Sequence, residues 1–545
     1  MRRNMIAILE AAHAGLLRKD QWFANLLAGL TVGVVALPLA MAFAIASGAR
    51  PEQGIYTAVV AGLATTLFGG TRMQISGPTG AFVAVLATIT AEHGIGGLAV
   101  ATFLAGIMLV AMGLTRMGSV LKYIPDPVIV GFTSGIGLII FVGQLKYFFG
   151  VHPAALGMHF HQQLEAIAAE ASHVHLVTAA MGLTSLLVVL VGTRYLKRIP
   201  APLVALVLAT IAEALFHFDG VATIGTAYGG IPRSLPHFGL PVDSFTEVIK
   251  LIGPAFTIAL LGAIESLLSA TIADGMAGTR HDSNQELIGQ GIANLLAPMC
   301  GGFAATGAIA RTATNIRNGA TGPIAGIVHS LFLVVVIVAL APLASYVPLA
   351  ALAAILFVVA WNMSDVRRFA KMATTAPRPD VAILLITFML TVFTDLVVAV
   401  GISVVLASLV FMRRMAQAVS VDQQPHEALA EESSGRWVLP AGTVVYQIDG
   451  PFFFAAAEKL DGALRHSQTR PRVLVLRLGR MPFIDSTGVA ALEEMIEDFS
   501  RHHTRVVLCE LPGNVAEKLA RAGILDRLGA GSVFATLADF ARAAS

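Results

Sequence analysis

Apolar runs of about 17 to 25 residues, each long enough to cross a bilayer, recur between Asn25 and Phe411, with breaks that contain Gly or Pro. Full and half-length runs together predict about fourteen segments. The count is least defined at Gly77–Glu92, Ala308–Asn318 and Val381–Asp395, where small or polar residues interrupt the pattern. Arg413-Arg414 closes the last run, and residues 417–436, which include Gln423-Gln424-Pro425-His426-Glu427, read as a polar linker. From Trp437 the period changes. Val444–Ile448, Val473–Leu478 and Arg505–Leu508 read as strands and Val489–Arg501 as an amphipathic helix. The chain therefore divides into an N-terminal cytoplasmic segment (1–20), a polytopic helical membrane domain (21–416), a linker (417–436) and a small cytoplasmic α/β domain (437–545). Residues 1–20 lack the apolar core and cleavage site of a secretory signal and are expected to lie on the membrane surface as an amphipathic segment.

The membrane part echoes itself. Gly70 precedes Gly80 in Ser76-Gly77-Pro78-Thr79-Gly80-Ala81-Phe82 by the offset with which Gly301 precedes Arg311 in Gly307-Ala308-Ile309-Ala310-Arg311-Thr312. Further upstream, Gln53-Gly54-Ile55 answers Gln290-Gly291-Ile292. Two related halves, each with an interrupted helix, are the pattern of a transporter built from inverted repeats.

Composition agrees: 56% of the 545 residues are hydrophobic and 13% charged, too apolar for an ordinary soluble enzyme. The net charge of +2 and the lack of basic runs with interleaved aromatics argue against nucleic-acid binding. Arg2, Arg3, Arg18, Lys19, Arg116, Lys122, Arg194, Lys197, Arg198, Arg367, Arg368, Lys371, Arg413 and Arg414 fall on alternate turns, which should be cytoplasmic, with both termini on that side. The loop His152–His175, rich in histidine and free of Lys and Arg, fits the opposite face, its histidines solvated rather than metal-binding. Cys300 and Cys509 have no disulfide or metal spacing and read as buried thiols. Neither GxGxxG nor GxxxxGK[ST] occurs in the C-terminal part, and no cofactor is expected.

A charge in the bilayer core costs about 3 kcal/mol or more and marks a functional site by default. Arg311 is such a charge. If Thr79-Gly80 and Ala310-Arg311 each start a half-helix near the midplane, their free N–H groups and positive dipole ends converge on one point suited to an anion. Gly80, Ala81 and Ala310 would let it approach the backbone, Thr79 and Thr312 offer hydroxyls, and Phe43 an apolar wall. The bland alternative is small-residue helix packing. Glu265 is the second intruder, with Ser269 one turn on along the same face. A membrane carboxylate must be protonated, paired or cation-bound, so Glu265 and Ser269 are candidate coupling residues for H⁺ or, alternatively, Na⁺; the static alternative is a Glu265–Arg311 ion pair. Asp274, Arg280, His281 and Asp282 at the end of this helix suggest a solvated or gating cluster.

Together, Gln74–Gly80, the Glu265 helix, Gly289–Asn294 and Ala310–Asn315 resemble the third, eighth, ninth and tenth spans of the SulP anion transporters, the bacterial relatives of solute carrier family 26. The resemblance covers nearly the whole chain. It implies fourteen segments in two inverted seven-segment repeats, a core domain moving against a gate domain, a homodimer, and an anion site of Phe43, Thr79, Gly80, Ala81, Ala310, Arg311 and Thr312 facing Glu265. The C-terminal domain looks like a STAS domain, a module expected to meet a cytoplasmic protein partner. Its Asp485-Ser486-Thr487-Gly488 matches a loop phosphorylated in related anti-sigma-factor antagonists, which makes Ser486 a candidate phosphosite, with a plain helix N-cap the preferred reading.

Ala263–Leu268, Asp274-Gly275-Met276, Ala308–Arg311 and Val359–Ser364 look most like the bacterial C4-dicarboxylate branch. Na⁺-dependent bicarbonate carriers typically have Asp where Glu265 stands, and many sulfate carriers have Gln where Leu39 stands. These resemblances imply a proton-coupled symporter of C4-dicarboxylates in a bacterial inner membrane, by an elevator-like or rocking mechanism. Sulfate/H⁺ symport, Na⁺-dependent bicarbonate transport and an uncoupled exchanger or channel are the alternatives. A mainly regulatory scaffold fits the paired half-helices poorly, and no nucleophile, base and oxyanion arrangement suggests an enzyme.

Overall fold

The computed structural model describes residues 6–119, 125–153, 160–196, 200–232, 238–241, 245–394, 396–417, 419–433, 437–453, 459 and 471–544. Arg2, Arg3, Lys122, His159, Lys197 and Arg198, which contribute to the charge pattern that orients the chain, lie outside them.

The membrane unit is helical. Helix α1 (Ala7–His13) is followed by α2 (Trp22–Ala46), α3 (Pro51–Phe68), α4 (Gly80–Leu114), α5 (Asp126–Phe149), α6 (Phe160–Ala169), α7 (Leu176–Tyr195), α8 (Ala201–Phe216) and the short α9 (Ile224–Tyr228). The second half runs through α10 (Phe245–Ala277), α11 (Ser283–Met299), α12 (Ile309–Arg317), α13 (Ile324–Ala344), α14 (Leu349–Ser364), α15 (Val366–Thr375), α16 (Arg378–Phe393) and α17 (Leu396–Gln417). Seven helices among the described residues are long and apolar enough to cross a membrane unaided. Of the stretches where hydropathy was ambiguous, 308–318 and 381–395 fall mostly in the shorter helices α12 and α16, and 77–92 falls mostly in the first part of α4. Helix α4 would be about 52 Å long if continuous, far more than the hydrocarbon layer of about 30 Å. It breaks at Gly94, whose φ of 69° and ψ of −178° only glycine adopts freely. The part before the break is a half-helix of about 21 Å.

Two strands of two residues each, β1 (Ser76–Gly77) and β2 (Thr306–Gly307), pair antiparallel with Ser76 opposite Gly307. Each directly precedes a half-helix, α4 or α12, so the matched segments of the two halves meet head-on at one crossing. Helices α2, α3, α4, α10, α11, α12 and α13 pack as one group and α5, α7, α8, α14 and α16 as another. Backbone approach holds the first group together: a Cβ added to Gly291 of α11 would stand 2.8 Å from the Gly106 carbonyl of α4, a contact only a small residue permits. Helix α1 docks rather than floats. Ala7 N–H donates to the Gly69 carbonyl at 2.9 Å, and Glu10 pairs with Arg72 at 2.5 Å.

The C-terminal unit is a five-stranded sheet in sequential order: β3 (Ser420–Gln423), β4 (Thr443–Asp449), β5 (Val473–Arg480), β6 (Arg505–Cys509) and β7 (Val533–Phe534). Strand β3 runs antiparallel to β4 and the rest are parallel. Residues 417–436, expected as a linker, thus include an edge strand of this sheet and the helix α18 (His426–Ser433). Leu474, Leu476, Leu478 and Leu508 pack against Leu492 and Ile496 of helix α19 (Ser486–Arg501) on one face.

Candidate functional site

The crossing is built from backbone. Beyond the β1–β2 pair, Ala308 N–H donates to the Ile75 carbonyl at 2.8 Å, which carries the ladder to the residue before α12. Thr79 and Ala308, the N-cap residues of α4 and α12, are extended and offer no side-chain cap. First-turn N–H groups and two positive dipole ends are therefore presented together, the arrangement that favours an anion.

Arg311 is 2% exposed. Its Nη2 donates to the Pro78 carbonyl, while Nη1 has no partner among the described residues. Nη1 faces α3: a Cβ at Gly77, whose φ is +154°, would stand 2.6 Å from it and 3.3 Å from Ala58 Cα. Gly80 faces different helices, since a Cβ there would lie 2.5 Å from Met363 Sδ of α14 and 3.4 Å from Phe43 Cε1 of α2. Phe43 and Ala81 are buried, Ala310 is exposed, and the Thr79 hydroxyl is buried without a partner among the described residues. Thr312 is already engaged: its Oγ1 accepts from Ile75 N–H at 3.0 Å and from Ser269 Oγ at 3.4 Å.

Glu265 is 8% exposed and neither ion-paired nor hydrogen-bonded to any described residue. The static Glu265–Arg311 pair considered from sequence is not formed, because Arg311 turns to Pro78 and α3 instead. The neighbours of Glu265 on α10 are what fasten this helix to the crossing. Ser266 Oγ lies 2.8 Å from Thr306 Oγ1 and accepts from Gly307 N–H at 3.2 Å, and Ser269 reaches Thr312. Asp274 and His281 pair at 2.7 Å at the end of α10.

A buried network absent from the sequence reading clasps the two halves. Glu286 of α11, 1% exposed, accepts from Gly70 N–H at 3.0 Å, Gln74 Nε2 at 2.9 Å and Gln290 Nε2 at 3.1 Å. Gln290 also donates to Ser76 Oγ at 2.6 Å, and Gln53 donates to the Gly301 carbonyl at 3.1 Å. Both glutamines of the repeated Gln-Gly-Ile therefore reach into the opposite half. The available signal was a second acid one turn before Gln290.

A cavity of about 350 Å³ extends from Val83, in the first turn of α4, to Glu92 beside its break. Helices α2 and α4 line one side; α5, α6 and α16, through Gln144, Lys146 and Thr391 among others, line the other. It runs between the two helix groups.

Residues 23–387 match the sulfate permease family and residues 438–540 the STAS domain. The chain belongs to the sulfate permease family. It is 42% identical over 507 residues to the putative sulfate transporter YvdB of Bacillus subtilis, covering 93% of this chain and 94% of that one. To the bicarbonate transporter BicA of Picosynechococcus it is 32% identical over 523 residues, 92% of this chain and 91% of that protein. The transmembrane domain of a cyanobacterial BicA superposes with a TM-score of 0.62 at 32% identity, covering 71% of this chain and 97% of that one. Murine solute carrier 26 family member A9 superposes with a TM-score of 0.86 over 99% of this chain and 94% of that one, at 20% identity, which establishes the shared fold. The permease is thus a multi-pass membrane anion transporter with a C-terminal STAS domain.

In that STAS domain the sequence favoured Ser486 as the cap of α19. The cap is Asp485, whose carboxylate accepts from Gly488 N–H at 2.7 Å, and Ser486 is an exposed first-turn residue. An aspartate side chain at this position accepts an orphan first-turn N–H and suits the positive helix end.

Proposed function

We propose that this permease carries a small oxyanion dianion together with protons, by alternating access of the α2–α4/α10–α13 group against the α5–α8/α14–α16 group. The observation that carries the reading is that Arg311 Nη1 and the Thr79 hydroxyl, on the two segments where uncapped helices begin, are buried donors without a partner among the described residues. Leaving such donors unpaired costs about 1–3 kcal/mol each, a cost that an oxyanion bound there removes. Glu265 supports coupling, because a buried acid with no partner among the described residues gains stability by taking a proton as the dianion arrives. Phe43 and Met363 crowd Gly80, which favours an ion of sulfate size. The relatives described as sulfate transporters support the same class.

C4-dicarboxylates are the second reading, favoured by the sequences of Ala263–Leu268 and Val359–Ser364, and they require Met363 to swing off Gly80. The test is uptake of labelled sulfate, succinate and bicarbonate into proteoliposomes under an inward proton gradient, with and without Na⁺. Sulfate uptake that follows the proton gradient and ignores Na⁺ is the expected result, and Glu265→Gln should remove its pH dependence. Na⁺-driven bicarbonate uptake would replace both substrate and coupling ion.

A further inference from the structure

We propose that His329 is a second proton site of this permease, taking up a proton whenever a dianion occupies the neighbouring Arg311 site. The inference rests on the proton-coupled reading above and adds to it a residue and a stoichiometry.

His329, in the first half of α13, is 0% exposed, and neither ring nitrogen is bonded to any described residue. Ser330 Oγ beside it is also buried without a partner among the described residues. The pair faces α3: a Cβ at Gly62 would stand 3.0 Å from Ser330 Oγ and 3.3 Å from His329 Nδ1. One helical turn earlier on that face is Ala58, whose Cα would stand 3.3 Å from a Cβ at Gly77, a position 2.6 Å from Arg311 Nη1, so the Arg311 site lies about one turn along α3 from His329. Of the helices packed on α13, α2 carries no ionisable group, and α3 carries only Glu52 and Tyr56, about 15 Å and 9 Å along its axis from Gly62. Helix α13 has no other ionisable residue.

A neutral imidazole has one N–H and one lone pair, and here both are idle. Charge balance gives the lone pair a use. With the site empty, Arg311 and an ionised Glu265 balance. A dianion accompanied by a proton on Glu265 leaves one negative charge uncompensated in a low-dielectric interior, where residual charge is expensive. A proton on His329 cancels it. Glu286 is common to both states and drops out of the difference. By linkage, the factor by which the dianion favours the His329 proton is the factor by which that proton tightens dianion binding.

The test uses the purified full-length permease with sodium sulfate as the probe. Protons taken up per sulfate bound are read with a pH-indicating dye, and the potential dependence of uptake is read in proteoliposomes clamped with potassium and valinomycin. The wild type should take up about two protons per sulfate and transport without regard to potential, because two protons balance a dianion. His329→Gln should bind sulfate with about one proton, and its uptake should become severalfold faster when the interior is positive. His329→Asn is the second variant. Should neither fold, sulfate-dependent change in deuterium exchange at the His329 ring carbon, read by mass spectrometry on the wild type, supports the assignment, and no change overturns it. Two protons in His329→Gln, or one in the wild type, overturns the inference and leaves proton coupling standing. No proton uptake by the wild type overturns the proton-coupled reading and this inference together.

Discussion

Removing the Glu286 carboxylate tests whether the two halves are clasped at the crossing. In Glu286→Ala three donors lose their acceptor: Gly70 N–H, Gln74 Nε2 and Gln290 Nε2, at 3.0, 2.9 and 3.1 Å. The site is 1% exposed, so each orphaned donor costs about 1–3 kcal/mol, or about 3–9 kcal/mol together before water enters the space. Glu286→Gln keeps one acceptor oxygen for the two glutamine amides but turns an NH₂ toward Gly70 N–H, so about one donor, or 1–3 kcal/mol, is lost. Chemical denaturation in detergent micelles, followed by size-exclusion chromatography with fluorescence detection, should therefore rank the wild type above Glu286→Gln and Glu286→Ala last. The exposed Asp20→Ala serves as control. Should Glu286→Ala unfold with Asp20→Ala and the wild type, the network is not holding the halves together and the reasoning fails.

Arg311→Ala should abolish uptake while leaving a monodisperse protein. Arg311→Lys, which cannot reproduce a planar two-ended donor, should weaken anion binding roughly 10- to 150-fold, the equivalent of one charged hydrogen bond of about 1.5–3 kcal/mol; equal binding by scintillation proximity would refute the role. Gly80→Val should block uptake by colliding with Met363 and Phe43, and the double variant with Met363→Ala should recover part of it; no recovery would place the obstruction elsewhere. In the STAS domain, burial and then the Glu510 carboxylate push the Cys509 thiol up to about 12. A raised thiol contributes stability that is full below its unfolded value of about 8.5 and is lost as pH climbs toward 12. Iodoacetamide at pH 8.5 should accordingly leave Cys509 unmodified in folded protein and alkylate it in urea, and prompt alkylation in the folded state would contradict the burial.

What sequence revealed of this molecule depended on whether a residue's meaning was local. Arg311 stood out because a charge in an apolar stretch is improbable without a role, and the Gly70/Gly301 and Gln53/Gln290 echoes stood out because glycines and amides seldom recur at a fixed offset by chance. Glu286 carries as much charge as Glu265, yet it sits in the first turns of α11 behind the cap Asp282, where an acid is ordinary. Its partner Gln74 lies 212 residues away, so nothing local distinguishes it. Thr312 shows the converse: the segment was legible, but a hydroxyl that serves Ile75 and Ser269 looks from sequence like one free for a ligand. Ser-Val-Asp-Gln of β3 is too polar and too short to announce a strand, and it becomes one because β4 offers it an open edge.

The same distinction explains why the crossing is made of backbone. Under the proposed alternating access, a site approached from either side cannot keep a side chain permanently in its path, and helix N-termini supply positive potential with no side chain at all. The charged group can then stand beside the termini, as Arg311 does with Nη2 on the Pro78 carbonyl and Nη1 next to Gly77, while Gly80 and Ala310 bring nothing larger than a methyl group to the approach. Gly77 follows from that layout. Its φ of +154° and the 2.6 Å between its Cβ position and Arg311 Nη1 are the cost of bringing a guanidinium up to the back of a strand. An alanine there would have to push the charge away from the dipoles it reinforces. The Gly-Pro-Thr-Gly run therefore encodes a place for a cation as much as a turn, and this is why the motif and the arginine occur together on opposite halves of the chain.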